Sequence, residues 1–245
     1  MKGARPPTAA APAIVRLGAV ESTQAVAFEL AERGAADRTV VLADHQTAGR
    51  GRRGRAWNDE PGTGLLVSIV LRPRLALPRL PLLSYATAIA VAEALDGVAG
   101  LRPTLKWPND VLVGDRKIAG ILLESRISAV AATVVVGIGV NLTQRRFPAE
   151  LEGRATSVAL ETGRTVEREQ VLAALLSAFD LWRARLEADG FAPVRERWLA
   201  LSGTIGRRVS VDGGAGLAVD VDLEGALLLQ DGAGLRRVLS GPIEG

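Results

Sequence analysis

Residues 49–57 place four arginines and three glycines within nine positions, in the order Gly-Arg-Gly-Arg-Arg-Gly-Arg-Ala-Trp. Glycine lets a backbone pass close to a ligand, and arginine offers a planar fork of donors that matches phosphate or carboxylate oxygens. Because cations repel one another at this density, we expect the segment to stay open until an anion arrives. The pattern alone fits a phosphate-binding loop, a solvated arginine–glycine loop or a nucleic-acid-binding patch.

A second polar group is the sequence Lys106-Trp107-Pro108-Asn109-Asp110. Proline forces an extended backbone on the tryptophan before it, so the chain leaves this strand sharply. Asn109 and Asp110 then offer oxygens of the kind that bind hydrated Mg²⁺, with Lys106 available for phosphate. The alternative is a plain Asn-Asp turn beside a core tryptophan.

Two apolar runs carry glycine and polar residues where a buried strand would not need them. Residues 116–124 begin with Arg116-Lys117 and contain Gly120, and residues 134–141 read Val-Val-Val-Gly-Ile-Gly-Val-Asn. Glycine inside a strand marks a bulge or a place where a ligand approaches the backbone. Both runs therefore predict either irregular strands or walls of a binding site.

The pair Ser22-Thr23 opens a predicted helix ahead of the arginine-rich segment. The N-terminus of a helix offers unpaired N–H groups and the positive end of its dipole. The two hydroxyls would cap this helix and would also be free to bind a ligand.

Composition narrows the classes of function. The 245 residues are 48% hydrophobic, which suffices for one large domain and a small second one, and the net charge of +3 does not demand a polyanionic partner. The absence of cysteine excludes disulfides and thiolate catalysis, and the single histidine disfavours a histidine metal cluster or a serine–histidine triad. The longest apolar run noted, residues 129–140, is too short for a membrane span. We expect a cytoplasmic protein without a membrane partner, with a disordered Ala/Pro-rich tail at residues 1–13.

The pattern of helices and strands predicted around these groups indicates an α+β fold. Closely spaced hairpin signals favour a mixed, largely antiparallel sheet with helices on one face. Past residue 202, short strands divided by glycine-containing turns predict a small β-barrel. Strands are predicted at 15–20, 39–43, 64–71, 105–107, 111–113, 117–125, 133–141, 207–211, 217–223, 226–230 and 236–239, and helices at 22–33, 82–95 (ended by Gly97), 167–187 and 192–201.

Together, these motifs closely resemble those of biotin–protein ligases, in both order and spacing. The resemblance covers about residues 15–240. It implies a class II synthetase-like ligase domain at residues 14–201, flanked by helices, and an SH3-like barrel at residues 202–245. The matching residues are Ser22-Thr23, Gln46, Gly49-Arg50-Gly51-Arg52-Arg53-Gly54-Arg55-Ala56-Trp57, Lys106-Trp107-Pro108-Asn109-Asp110, Arg116-Lys117-Ile118-Ala119-Gly120-Ile121-Leu122-Leu123-Glu124 and Gly137-Ile138-Gly139-Val140-Asn141.

Such ligases first join the biotin carboxylate to the α-phosphate of ATP, and then transfer biotin to a lysine of a carrier protein. The resemblance implies that Lys117, Arg52 and Arg55 are catalytic, and that Trp57 and Trp107 form apolar walls. Biotin contacts are implied for Ser22, Thr23, Gln46, Gly49, Arg50, Gly51, Arg52, Lys117, Gly120 and Gly137. ATP contacts are implied for Arg53, Arg55, Trp57, Lys106, Asn109 and Asn141, and Mg²⁺ contacts for Asp110 and Asn109.

The implied partner is a biotin carboxyl carrier protein, such as a subunit of acetyl-CoA carboxylase. Because only about 14 residues precede the first predicted strand, we expect the monofunctional form, which lacks an N-terminal DNA-binding domain. The oligomeric state stays open between a monomer and a weak homodimer, and so does the residue that stacks on adenine. A lipoate-type ligase is the alternative enzyme. A nucleic-acid-binding module is disfavoured because aromatic residues make up 4% and 27 acidic residues nearly balance 30 basic ones.

Overall fold

The larger part of the molecule is a seven-stranded sheet. The computed structural model describes residues 12–127 and 132–243, so the predicted tail, residues 1–13, lies almost wholly outside the described residues and stays a prediction. The strands are β1 (Ile14–Val20), β2 (Val40–Gln46), β3 (Gly64–Leu71), β4 (Thr104–Lys106), β5 (Asp110–Val113), β6 (Arg116–Ile127) and β7 (Ala132–Asn141). Their order is β1-β2-β3-β7-β6-β5-β4.

The pairing confirms a mixed, largely antiparallel sheet. β1 and β2 run parallel, joined by helix α1 (Thr23–Glu32), and the other neighbouring pairs in this sheet are antiparallel. Alternate residues of a strand face opposite sides, so Val40 and Leu42 join the main core while Val41 packs against α1. Helices therefore cover both faces, and the prediction of helices on one face is wrong.

Three helices pack on the face opposite α1: α2 (Leu83–Ala99), α4 (Arg168–Asp189) and α5 (Phe191–Leu201). The predicted end of α2 at Gly97 is wrong. The helix continues two residues further to Ala99, and Gly100 follows it with a φ of 66°, the left-handed conformation common after a helix. A Cβ at Gly97 would meet nothing within 4 Å, so no close contact requires glycine at this position of the helix.

Among the described residues, one helical stretch, Leu77–Ala99, is long and apolar enough to cross a membrane by length and composition alone. It is distinct from the apolar run noted in the sequence, residues 129–140, which lies later in the chain. Within this stretch, 72% of the most apolar window is buried inside the fold. The stretch contains α2, which supplies much of the main core.

The C-terminal region forms a four-stranded antiparallel sheet in the order β11-β10-β9-β8, compatible with the predicted SH3-like barrel. α5 ends at Leu201, and the boundary predicted at residue 202 stays a prediction. A short helix, α3 (Val158–Thr162), was missed because five residues are too few to show a helical period. The strands are β8 (Arg208–Val211), β9 (Gly214–Val221), β10 (Leu227–Asp231) and β11 (Gly234–Val238).

Tyr85, in α2, and Trp107, directly after β4, form hydrogen bonds with residues of the C-terminal region. The Tyr85 hydroxyl donates to the carbonyl oxygen of Gly225 at 2.6 Å and accepts from Trp107 Nε1 at 2.8 Å. The backbone N–H of Trp107 donates to Thr204 Oγ1 at 2.9 Å. Trp107 is 1% exposed, so it anchors the turn that follows it. It does not line the pocket described below, and its predicted place as a wall of the binding site stays a prediction.

Tyr85 is the only tyrosine in the chain, so tyrosinate absorbance reports on it alone. Burial raises the pKa of Tyr85 well above its ordinary value. The folded protein therefore holds this proton after the unfolded chain, with a tyrosine pKa of about 10, has released it. The contribution to stability is full below about pH 10 and falls as the pH rises further.

We expect the native protein to show no tyrosinate absorbance at a pH where the urea-unfolded protein is half ionised. Ultraviolet absorbance read together with circular dichroism checks this. Ionisation of the folded protein near pH 10 would show that the Tyr85 hydroxyl is not sealed from water.

Candidate active site

A pocket lies on the α1 face of the sheet, between the start of α1, strands β3, β6 and β7, and residues 49–57. It spans about 480 Å³ of space, part of which is open solvent. The structure brings together most of the predicted site residues in its lining: Ser22, Thr23, Gln46, Arg50, Gly51, Arg52, Trp57, Asn109, Lys117, Gly120 and Gly137.

Residues 49–57, here called the arginine loop, fold back on themselves beside the pocket. The Gly51 N–H donates to the Arg55 carbonyl at 2.7 Å, and the Trp57 N–H donates to the Gly49 carbonyl at 2.9 Å. Arg50 lies 3.3 Å from a Glu124 carboxylate oxygen. These bonds offset the repulsion among the loop's cations, so the loop is folded in this structure rather than open as predicted.

Two cations on different elements converge on the pocket. Lys117 Nζ, on β6, lies 2.6 Å from Asp110 Oδ1, and Arg52 Nη1 donates to Asn109 Oδ1 at 3.0 Å. Burial, and then repulsion from Arg53, lower the pKa of Arg52 below its usual value. A partly desolvated guanidinium bonded to a neutral amide favours an anionic ligand.

Trp57 fills the space that two glycines leave open. A Cβ added at Gly139 would lie less than 3.0 Å from the Trp57 ring, and one added at Gly120 would lie 3.0 Å from it. Lys117 Nζ lies 5.7 Å from the ring centroid. Trp57 is therefore a wall of this pocket, and its predicted contact with ATP stays a prediction. Gly139 was not among the predicted contacts, although its position two residues after Gly137 placed it on the same face.

The Trp57 Nε1–H is buried without a hydrogen-bond partner, the one such side-chain atom within residues 12–127 and 132–243. An unsatisfied buried donor costs about 1–3 kcal/mol. An acceptor atom on a ligand would remove that cost. This makes the ring a candidate polar contact as well as an apolar wall.

The floor of the pocket is polar and buried. Thr23 donates its backbone N–H to Gln46 Oε1 at 2.8 Å, and its hydroxyl lies 2.8 Å from that of Ser68. Ser22 precedes α1 as its N-cap residue, but its side chain makes no capping bond. Sequence reasoning missed Ser68 and Gln24 as pocket residues. The sequence could have indicated Ser68 as a pocket residue, because it is a polar residue within the fully buried apolar strand β3.

Six predicted site residues do not line the pocket: Gly49, Arg53, Arg55, Lys106, Asp110 and Asn141. Asp110 pairs with Lys117 at the pocket edge, as given above. Asn141 is buried and donates to the Thr156 carbonyl at 2.9 Å, and a Cβ on Gly49 would lie 2.5 Å from the Trp57 carbonyl oxygen. These contacts give Asn141 and Gly49 structural roles, and the predicted ATP contacts of Arg53, Arg55, Lys106 and Asn141 stay predictions.

Asn109 and Asp110, which were predicted to bind Mg²⁺, already form hydrogen bonds or an ion pair with other protein groups. Asn109 Oδ1 accepts from Arg52, while its Nδ2 donates to the Ile121 carbonyl at 2.7 Å. Across the described part of the chain, no three His, Cys, Asp or Glu side chains come together as a metal site. A divalent ion here would depend on oxygens that a ligand brings.

This combination of a mixed sheet, a glycine-lined pocket and converging cations matches a known class of ligase. A family model described as the biotin/lipoate A/B protein ligase family matches residues 17–141. The match spans slightly more than half of the sequence, and the chain belongs to this family.

Particular relatives extend the similarity to nearly the whole chain. The biotin–[acetyl-CoA-carboxylase] ligase of Paracoccus denitrificans is 41% identical over 89% of this chain and 94% of its own. The bifunctional ligase/repressor BirA of Bacillus subtilis is 36% identical over 92% of this chain and 71% of its own. The biotin protein ligase of Aquifex aeolicus, solved with biotin and ATP, superposes with a TM-score of 0.84 at 31% identity, covering 95% of this chain and 97% of that one.

Proposed function

We propose that this protein is an ATP-dependent biotin–protein ligase. In the first step an oxygen of the biotin carboxylate attacks the α-phosphorus of ATP, which forms biotinyl-5′-AMP and expels pyrophosphate. In the second step a lysine amine of a carrier protein attacks the activated carbonyl carbon. This forms an amide and releases AMP and a proton. The named relatives and the solved complex with biotin and ATP support this reaction.

One observation carries the proposal: Lys117 and Arg52 approach the same pocket, whose floor is neutral and hydrogen-bonding. A carboxylate and a triphosphate repel each other, so catalysis depends on neutralising and aligning them. Lys117 is held at the pocket edge by Asp110, and Arg52 by Asn109. Both cations are thus positioned before an anion binds, which lowers the reorganisation that the reaction requires.

We infer that Mg²⁺ enters with ATP as part of that substrate. Mg²⁺ commonly keeps several waters and binds through one or two carboxylates together with phosphate oxygens. Asp110 is the carboxylate nearest Lys117 and would supply the protein's share. Arg55 and Lys106, on the loop and at the end of β4, are proposed to contact the phosphates.

We further propose a biotin carboxyl carrier protein as the acceptor, and the cytoplasm, where ATP is available, as the location. Biotin–protein ligases act on the carriers of biotin-dependent carboxylases, and the Paracoccus denitrificans relative is named for one of them. The monomeric or weakly dimeric state and the lack of specific DNA binding stay predictions.

Purified protein should release pyrophosphate only when biotin, ATP and Mg²⁺ are all present. Addition of a carrier domain should then yield biotinylated carrier, detected by mass spectrometry, whereas a carrier whose target lysine is replaced by arginine should stay unlabelled. Chelation of Mg²⁺ should stop pyrophosphate release but leave biotin binding measurable by calorimetry. Failure of biotin to bind, with or without ATP, would overturn the proposal.

A further inference from the structure

His45 and Asp59 form a hydrogen-bonded pair across the base of the arginine loop. His45 lies near the end of β2, shortly before the loop begins. Asp59 shortly follows Trp57, the last residue of the loop. His45 Nδ1 lies 2.8 Å from Asp59 Oδ2. Because an ionised carboxylate only accepts hydrogen bonds, the Nδ1–H is the donor. The pair therefore joins the stretches of chain that enter and leave the loop.

The Asp59 carboxylate is buried and depends on His45. Its side chain is 3% exposed, whereas that of His45 is 28% exposed. Within the described part of the chain, the other group beside it is the Gln46 backbone N–H, which lies 3.4 Å from each carboxylate oxygen. That distance makes a weak hydrogen bond. A buried charge is costly unless it is paired and hydrogen-bonded, so Asp59 is held against His45.

The two ends of the arginine loop are attached in different ways. At the entrance, Thr47 and Ala48 donate their backbone N–H groups to the carbonyls of residues 20 and 21 at 2.8 and 2.9 Å. At the exit, the backbone groups of residues 58 and 59 make no hydrogen bond with any residue that the structure describes. The exit therefore depends on the Asp59 side chain.

The next attachment of this stretch to the sheet comes only near the start of β3. β2 pairs with β3 as far as Ala43, and the Gly62 N–H then donates to the Asp44 carbonyl at 2.8 Å. Among the described residues, loss of the His45 bond would leave residues 58–61 with one polar contact to the sheet, the long bond from Gln46.

Trp57 connects the pair to the pocket. Its ring lies over Gly139 and 5.7 Å from Lys117 Nζ, as described above. A shift of the loop exit would therefore move one wall of the pocket. His45 and Asp59 do not line the pocket themselves, so any effect they have on a ligand acts through the loop.

We propose that His45 and Asp59 are positioning residues, which hold the exit of the arginine loop, and through it Trp57, in place before a ligand arrives. This inference rests on the proposed function and deepens it. A ligand that meets a loose loop has to order it, and that ordering reduces affinity. Loss of the pair should raise the KM for biotin and leave kcat nearly unchanged, because the ordered loop serves substrate and transition state alike.

The test replaces the imidazole with two side chains of different chemistry. His45→Leu removes the N–H and should raise the KM for biotin in pyrophosphate release at least about tenfold, while kcat changes less than about threefold. His45→Asn places an amide N–H where the Nδ1–H lies and should restore the KM to within about threefold of the wild type. Asp59→Ala, which removes the buried charge altogether, should raise the KM as His45→Leu does.

Limited trypsin digestion without any ligand gives a second measurement. Cleavage after Arg52, Arg53 and Arg55, read by mass spectrometry, should be about tenfold faster in His45→Leu than in the wild type, because local opening exposes the loop. It should return to the wild-type rate in His45→Asn. Unfolding in urea shows whether each variant is folded.

Asp44→Ala is the matched control. Asp44 precedes His45 on β2, but its carboxylate pairs with Arg168 at 2.6 Å, and the variant keeps the carbonyl that binds Gly62. It should change neither measurement. An unchanged KM or unchanged cleavage in His45→Leu, or failure of His45→Asn to restore them, would overturn this inference while biotin turnover by the wild type still supports the proposed function. If the wild type binds no biotin, the proposed function fails by itself.

Discussion

Replacing Lys117 with alanine should lower the rate of pyrophosphate release by about a thousand-fold. The ammonium group is the one lysine charge in the pocket lining, and loss of a preorganised charge that stabilises a transition state costs about 10²–10³ in rate. Biotin affinity should fall much less, because the floor contacts remain. Single-turnover measurement of pyrophosphate release, together with biotin calorimetry, separates the two effects.

Arg116→Ala is the matched control for this change. Arg116 precedes Lys117 on the same strand but is exposed and pairs with Glu161 at 2.9 Å, so its loss should change turnover less than about threefold. Lys117→Arg keeps the charge but replaces a compact ammonium with a planar guanidinium in a space bounded by Gly120 and Trp57. It should recover little activity. Normal turnover in Lys117→Ala would remove this residue from the chemical step.

Gly139→Ala should weaken biotin binding by about a hundred-fold. The added methyl group would lie less than 3.0 Å from the Trp57 ring, so the ring has to move. Trp57 ends the arginine loop and its N–H bonds to Gly49, so this movement displaces the loop that carries Arg50 and Arg52. Calorimetry measures the loss of affinity, and unfolding in urea measures any accompanying loss of stability.

A double-mutant cycle tests whether the effect acts through this contact. Trp57→Ala should weaken binding by itself, but adding Gly139→Ala to it should cost little more, since the clash is gone. Gly97→Ala, which adds a methyl group into open space inside α2, should bind biotin normally and should stabilise the fold slightly. If the losses of biotin affinity in the two single variants add up in the double variant, Gly139→Ala does not act through its contact with Trp57.

The sequence predicted most of the sheet because its strands carry local signals. β3, β6 and β7 are apolar runs bounded by turns, and their observed bounds, Gly64–Leu71, Arg116–Ile127 and Ala132–Asn141, agree with the predicted ones to within two residues. The side of the sheet on which α1 packs was not predictable in the same way. It depends on a parallel pairing of β1 with β2, which is a long-range contact with no local signal.

The residues of the binding site likewise include some that the sequence revealed and others that it did not. The arginine loop and Lys117 were recognised from sequence because charge and glycine stand out among apolar neighbours, whereas Gln46 was identified through the resemblance to biotin–protein ligases. Gln24 and Ser68 were missed as contacts because a glutamine in a helix and a serine in a strand have ordinary structural uses. Only the crossing of α1 over β3 shows that their oxygens lie 3.1 Å apart.

The sequence by itself determined the class of chemistry, since dense cations and close-approach glycines, with no cysteine and a single histidine, favour binding and aligning anions. Tertiary structure decided which of these groups act together. It paired Lys117 with Asp110 and Arg52 with Asn109, placed Trp57 over Gly139, and brought together four side-chain oxygens from α1, β2 and β3. The physical reason is that charge and backbone freedom belong to single residues, whereas desolvation and hydrogen-bond pairing depend on residues from distant parts of the chain.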